Sequence, residues 1–317
     1  MEHLDPGALV CLIALVDEGS FERAARRLAI TQSAVSQRLR ALEVQVGQPL
    51  VVRSRPLRLT GSGQILLRHA RQIQALHADV SRELGERGHT LERVPIAVNA
   101  DSLATWVLPA LQPLVDAGVS LELVVDDQDF THEWLRQGRV LGCVSTVSEA
   151  LRGCRVTPLC VMHYVAVASP AFLARQVGTA GLNRGNFAQL PFVVFNRKDD
   201  MQMQWVALAF GVAAPRLQQR FVPSAEAYVR AVVLGWGIGV AAWPLVRSQV
   251  EAGELVVLHP QIGIHVALYW HQWKLFSDDS RPSGASAQGP HTALLDRIGA
   301  ALATGAMALR LPPQMAI

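Results

Sequence analysis

SFERAARRLAITQSAVSQRLRALE, residues 20–43, reads as two short helices joined by a tight turn. Phe21, Ala24, Ala25 and Leu28 recur at helical spacing, Gly19 stops what precedes, and Ser20 is placed to cap the first helix. Ala29 and Ile30 bridge to Thr31, a second N-cap residue. The following helix buries Ala34, Val35, Leu39 and Leu42, and its other face carries Gln32, Ser33, Ser36, Gln37 and Arg40. Amides and hydroxyls on such a face can pair with base edges in a major groove, while arginine meets guanine or phosphate. A solvated amphipathic pair has the same periodicity, so the flanking segments must decide.

Before the pair, residues 8–16 place Leu9, Leu12, Ile13 and Val16 on one helical face. After it, residues 48–59 suggest a β-hairpin wing turning at Pro56, with Arg53, Arg55 and Arg58 along it. Between Ser20 and Thr60 eight arginines stand against Glu22 and Glu43, a local balance of +6, whereas the whole chain carries only +3. Charge is therefore concentrated where a groove reader needs it. Arg53 and Arg55 at a wing tip are placed to enter a minor groove, whose negative potential attracts arginine.

The pattern FxxAAxxLxxxQSAVSxxxxxLE, then GxxLxxR and TxxG, resembles the LysR-type transcriptional regulators. Its positions here are Phe21, Ala24, Ala25, Leu28, Gln32, Ser33, Ala34, Val35, Ser36, Leu42, Glu43, Gly47, Leu50, Arg53, Thr60 and Gly63. Pro49 and Val52 depart from the larger residues usual in the wing. The resemblance implies that Gln32, Ser33, Ser36 and Gln37 face bases and that Arg53 is the wing arginine. It also implies partners: promoter DNA, RNA polymerase, a small-molecule effector and a second copy of the chain, as a dimer or a tetramer.

At 317 residues, half of them apolar, the chain can form two or three compact units. Cys11, Cys143, Cys154 and Cys160 form no CxxC pair and read as reduced, mostly buried thiols of a cytoplasmic protein. The first residues lack a basic start and an apolar run, so no signal peptide is expected. Residues 231–246, the most apolar stretch, contain three glycines and a proline and are too short to span a membrane. Arginine outnumbers lysine 27 to 2, which reads as genome composition rather than function.

Residues 60–84 read as a long helix in which Leu66, Ile73 and Val80 recur every seventh residue with Leu76 between, a strip suited to dimerisation. Packing of that strip on its own chain is the alternative. Residues 85–93 form a polar hinge. From residue 94 strands and helices alternate in two consecutive sets, which predicts two open α/β subdomains. Strands are expected at 94–98, 120–125, 140–145, 161–168, 192–195, 220–222, 238–242, 255–258 and 265–270. Helices are expected at 101–111, 133–137, 201–210, 225–234, 244–252 and 292–303. Residues 278–290 read as a polar loop. The fold class is thus α/β: a winged helix-turn-helix domain at 1–59, a linker helix at 60–84, a hinge at 85–93 and an effector-binding domain at 94–317. The LysR resemblance implies a two-lobed periplasmic-binding-protein-like effector domain, with lobe one at 94–162 and 267–317 and lobe two at 163–266.

Ligands of open α/β folds sit beyond the carboxyl ends of strands, often at helix N-termini. Asn99 to Ser102, Asp126 with Asp127, Ser145 with Thr146, Phe195 to Asp200, and Ser224 to Glu226 occupy such places. Ser102 and Thr146, with backbone N–H groups, suit a carboxylate. Asp101, Asp126, Asp127, Asp199, Asp200 and Glu226 are many acids for a basic chain, and a cationic ligand would explain them. Each could instead be an N-cap or a solvated loop acid.

Residues 98–106 (VNADSLATW), 144–145, 199–201, 224–227 and 269–271 resemble the ArgP/LysG branch of the LysR regulators, activators of lysine and arginine exporters. That resemblance implies L-lysine or L-arginine as effector, and no cofactor or metal is expected. Two rivals remain: an α/β enzyme and an exported solute-binding protein. Against the first, no nucleophile elbow, GxGxxG, HExxH or paired-cysteine motif occurs, and His163, His259, His265 and His271 are scattered. Against the second stand the arginine-rich N-terminal segment and the missing export signal.

Overall fold

The computed structural model describes residues 4–52, 54, 56–83, 93–126, 131–274 and 290–309. Arg53, Arg55 and Asp127, and the side chains of Leu76, Val80 and Asp126, lie outside the described residues, as do nearly all of the hinge and the 278–290 loop.

Helix α1 (Pro6–Glu18) begins where Asp5 accepts the Gly7 N–H and Pro6 presets the first turn. Ser20 caps α2 (Phe21–Arg27) by accepting the Arg23 N–H, and Thr31 caps α3 (Gln32–Val46) by accepting that of Ala34. Between them Ala29 takes φ 52°, a left-handed turn residue that is not glycine. Strands β1 (Val51–Val52) and β2 (Arg58–Leu59) pair antiparallel as the expected wing. Two family positions acquire reasons here. Glu43 takes the N–H groups of Leu50 and Val51 at 2.8 and 3.4 Å, tying the wing to α3. Gly63 lies under the Leu50 carbonyl, whose oxygen would be 2.0 Å from any added Cβ.

Helix α4 (Gly61–Glu83) is the linker. Leu66 is only 6% exposed and belongs to the core built on Leu9, Leu12, Leu15, Val35 and Leu39, and Ile73 packs against the same core. Leu66, expected at a dimer seam, is therefore held inside its own chain, because the heptad strip at this end faces α1. Ile65, 62% exposed, is the apolar residue this end of the helix presents outward.

The effector domain opens with β3 (Val94–Asn99), followed by one continuous helical stretch: α5 (Ala100–Ser102), a wider π-helical turn at Leu103–Val107, and α6 (Leu108–Asp116). Pro109 cannot donate to the Thr105 carbonyl, so the ladder opens next to Asn99–Ser102. Then come β4 (Leu121–Asp126), α7 (Thr131–Arg136), β5 (Gly142–Ser145), β6 (Cys154–Ala168), α8 (Pro170–Gln176), β7 (Pro191–Val194) and α9 (Met201–Phe210). β8 (Gln218–Phe221), α10 (Ala225–Val233), β9 (Gly239–Ala242), α11 (Trp243–Glu251), β10 (Val256–Trp273) and α12 (Pro290–Met307) complete the domain.

One six-stranded sheet runs β4-β3-β5-β10-β6-β9, with β7 and β8 pairing separately. The sequence suggested short strands at 161–168, 255–258 and 265–270; instead β6 and β10 are 15 and 18 residues long and cross the domain side by side. The largely unburied first half of β6 and the irregular stretch of β10 between Leu258 and Gly263 hid this continuity. Side-chain alternation along β6 splits the packing: Tyr164, Ala166 and Ala168 face one core, Val165 and Val167 another formed with α10 and α11. The first half (β3, β4, β5) and the second (β7, β8, β9, α10) thus share two strands and leave a cleft between.

Candidate functional site: a groove-reading helix and an interlobe cleft

On α3, Gln32, Ser33, Gln37 and Arg40 are exposed and Ser36 half-buried, while Val35, Leu39 and Leu42 are buried. Thr31 is largely committed to capping, since its hydroxyl also lies 2.9 Å from that of Ser33. Two arginines of the basic segment, though exposed, are tied back to α1. Arg27 pairs with Asp17 at 2.8 Å and with Glu18 at 3.7 Å, and Arg38 reaches back to the Cys11 sulfur on α1.

In the effector domain two adjoining cavities occupy the cleft. The first, about 60 Å³, is lined by Asn99, Asp101 and Tyr164 from one side and Lys198, Asp199, Asp200, Met201 and Tyr228 from the other. The second, about 320 Å³, is lined by Thr146, Ser148, Gln204, His265 and Tyr269 and shares Asp200 and Met201 with the first. Together they have room for an amino acid.

The carboxylates play unequal parts. Asp101 accepts the Tyr164 hydroxyl at 2.8 Å, which orients it at the cavity wall. Asp199 is spent on the chain: it takes the N–H groups of Phe195 and Met201 at 2.9 and 3.0 Å and the Gln202 amide at 3.1 Å. Asp200 is exposed, accepts the Gln204 amide at 2.7 Å, and stands where the cavities meet. Glu226 is exposed on the first turn of α10 and lines neither cavity; it behaves as a helix-start acid. Ser145 is fully buried and caps its own turn by accepting the Val147 N–H, whereas Thr146 reaches the second cavity. Ser102 is fully buried behind the cavity wall, its Oγ without a partner among the described residues.

Asn99, 3% exposed, lines the first cavity with an Oδ1 that has no hydrogen-bond donor among the described residues. Such a buried acceptor costs free energy unless a ligand supplies the donor. Sequence reading included Lys198 in the 195–200 segment without giving it a role, and missed Tyr164 and Tyr228. Lys198 is the one cationic side chain among the described residues lining the first cavity. Its signal was visible: it is one of two lysines in a chain of 27 arginines, directly before Asp199. Burial, with Asp199 nearby, pushes the Tyr228 hydroxyl well above the usual range, so it stays protonated; it donates to backbone carbonyls and accepts the Val240 N–H at 2.8 Å. The histidines are less scattered than the sequence suggested. His163 and His265 oppose each other across β6 and β10 with Nδ1 atoms 2.5 Å apart, and His271 is buried against the Val147 carbonyl. Burial raises the thiols of Cys154 and Cys160 to about 12 and about 11. No group of three or more histidine, cysteine or acidic residues suited to a metal occurs among the described residues. Nor is any described helix long and apolar enough to cross a membrane.

Residues 7–64 match the family described as "Bacterial regulatory helix-turn-helix protein, lysR family", and residues 87–277 match "LysR substrate binding domain". The chain is a LysR-type transcriptional regulator. Within that family, the HTH-type transcriptional regulator ArgP of Aeromonas salmonicida is 42% identical over 277 residues, 87% of this chain and 92% of its own length. ArgP of Salmonella typhi is 39% identical over 284 residues, covering 89% of this regulator and 93% of the relative. Among solved structures, ArgP from Mycobacterium tuberculosis superposes with a TM-score of 0.79 at 38% identity, covering 97% of this chain and 99% of that one. Full-length LysG from Corynebacterium glutamicum with bound effector Arg gives 0.71 at 32% identity, over 98% and 100%. This LysR regulator is of the ArgP/LysG type, with a DNA-binding domain and an effector-binding domain.

Proposed function

We propose that this regulator senses a basic L-amino acid, arginine or lysine, in the interlobe cleft and controls a gene for amino-acid export or metabolism. The observation that carries the reading is the charge of the first cavity: Asp101, Asp199 and Asp200 face one ammonium, that of Lys198. A diamino acid carries two cations and one anion, which complements that lining better than a neutral amino acid would. The relative with arginine bound supports the same chemistry.

Asp101, oriented by Tyr164, and Asp200 receive the effector's cations, and Asn99 Oδ1 accepts from one of them. Lys198 holds the carboxylate. These groups come from both halves of the domain, so the ligand draws the halves together and favours a closed arrangement over an open one. The chain acts as a homodimer or a pair of dimers, so that two α3 helices meet half-sites about one DNA turn apart, ~34–36 Å. RNA polymerase is the partner through which closure reaches transcription. Footprinting on DNA fragments selected for binding by the full-length chain tests this. Arginine or lysine should alter the protected region or its affinity, whereas a pattern indifferent to both but responsive to a neutral metabolite would reject the basic effector.

A further inference from the structure

Outside the cleft, lobe one rests on the linker helix of its own chain. Gly138, at φ 68°, lies so close over α4 that an added Cβ would be 2.8 Å from the Arg68 Cα and 3.1 Å from its N. The Arg68 guanidinium stands over the Trp273 ring, 5.3 Å from its centroid. Arg71, one helical turn further along α4, bridges three parts of the molecule. Its Nη2 meets Asp17 Oδ1 on α1 at 2.5 Å, and its Nη1 donates to the Arg139 carbonyl at 2.6 Å. The Arg71 side chain is 14% exposed, and its buried Nε has no partner among the described residues. A desolvated guanidinium needs its partners, so the arrangement is either made in full or abandoned.

The lobe-one side of this contact leads to the effector site by a short route. The turn at Gly138 and Arg139 ends α7, six residues long, and the first of these, Thr131, is fully buried and donates to the Val144 carbonyl at 2.6 Å. Ser145 and Thr146 follow directly, and Thr146 lines the second cavity. Helix α7, with its bond to β5, thus connects the cleft edge to the Arg139 carbonyl that Arg71 holds.

We infer that Arg71 is a coupling residue: through Asp17 and the Arg139 carbonyl it holds the winged-helix domain to lobe one, and this contact carries cleft closure to the DNA-binding end. The coupling half of this inference rests on the basic-amino-acid reading; the docking half does not. Hydrogen exchange of the full-length chain without ligand tests the dock, comparing wild type, Arg71→Ala and Gly138→Val. Gly138→Val attacks the same contact from lobe one, so it decides the matter if Arg71→Ala fails to fold. Faster exchange is expected in both the 9–19 and 134–142 segments, with 201–210 unchanged. Unchanged exchange in 134–142 would overturn the dock.

The second arm measures DNA affinity with and without arginine, alongside calorimetric binding of arginine. In Arg71→Ala the arginine-driven change in DNA affinity should shrink by about fivefold or more, the low end of ordinary coupling, while the Kd for arginine moves less than about twofold. An undiminished change overturns the coupling role. If arginine gives no heat with wild type, the effector reading fails instead, and the exchange result alone decides the dock.

Discussion

Replacing Gln37 by alanine separates reading from folding on α3. The side chain is exposed and is not among those that cap or anchor the helix, and alanine is the better helix former. Stability should therefore change by no more than a few tenths of ~1 kcal/mol, small against the ~5–15 kcal/mol of a typical domain. Loss of one good base contact costs about 1–3 kcal/mol of discrimination. At about 1.4 kcal/mol per decade, affinity for the cognate site should fall about five- to 150-fold. Affinity for random DNA should hardly move. Fluorescence anisotropy with cognate and scrambled duplexes at fixed salt gives both numbers, and a thermal melt gives the stability. An equal loss on both duplexes would mean that α3 does not read bases at this position. Thr31→Ala provides the contrast: removing the cap costs about 1 kcal/mol of stability and lowers Tm, whatever happens to DNA.

Gly63→Val should abolish the soluble fold of the DNA-binding domain, because its Cβ would fall within 2.0 Å of the Leu50 oxygen; a variant with native Tm and DNA affinity would contradict the close approach. Ile65→Asp should yield monomers by sedimentation with an intact melt, whereas Ile73→Asp should lower stability, since Ile73 packs on its own chain's core. Burial holds the His271 imidazole below the ordinary value of about 6.5, so its contribution to stability is full above that pH and is lost as pH falls through the depressed folded value. The effector domain's Tm should therefore decline on acidification below about pH 6.5, and His271→Gln should flatten that decline; identical slopes would refute the assignment.

The DNA-binding half was legible because its information is local. Caps at Ser20 and Thr31, the stop at Gly19 and the 3.6-residue periodicity all fall within a short stretch, and the structure follows them. Helix α9 was read with its observed bounds for the same reason. Helix α8 was missed although Ser169 and Pro170 mark its start, because its seven residues are too few to show a period. Strands β6 and β10 were read short, since residues 155–161 of the one and 256–263 of the other contain no buried residue to mark an alternation. In the cleft, residue type was visible and geometry was not. Asp199 and Asp200 are adjacent and chemically identical, yet one is consumed by backbone N–H groups and the other lines both cavities. Glu226 matched the charge argument but lines neither cavity, and Lys198 fell inside the 195–200 segment without its place at the cavity wall being readable.

Calorimetric titration of L-arginine and L-lysine into wild type, Asp101→Asn, Asp200→Asn and Glu226→Gln tests the central claim most directly. Wild type should bind at least one of them. A charge-assisted contact is worth about 1.5–3 kcal/mol, so each aspartate variant should bind about ten- to hundredfold more weakly and Glu226→Gln as well as wild type. Wild type that gives no heat with either amino acid but binds a neutral or anionic metabolite would contradict the account of the cleft.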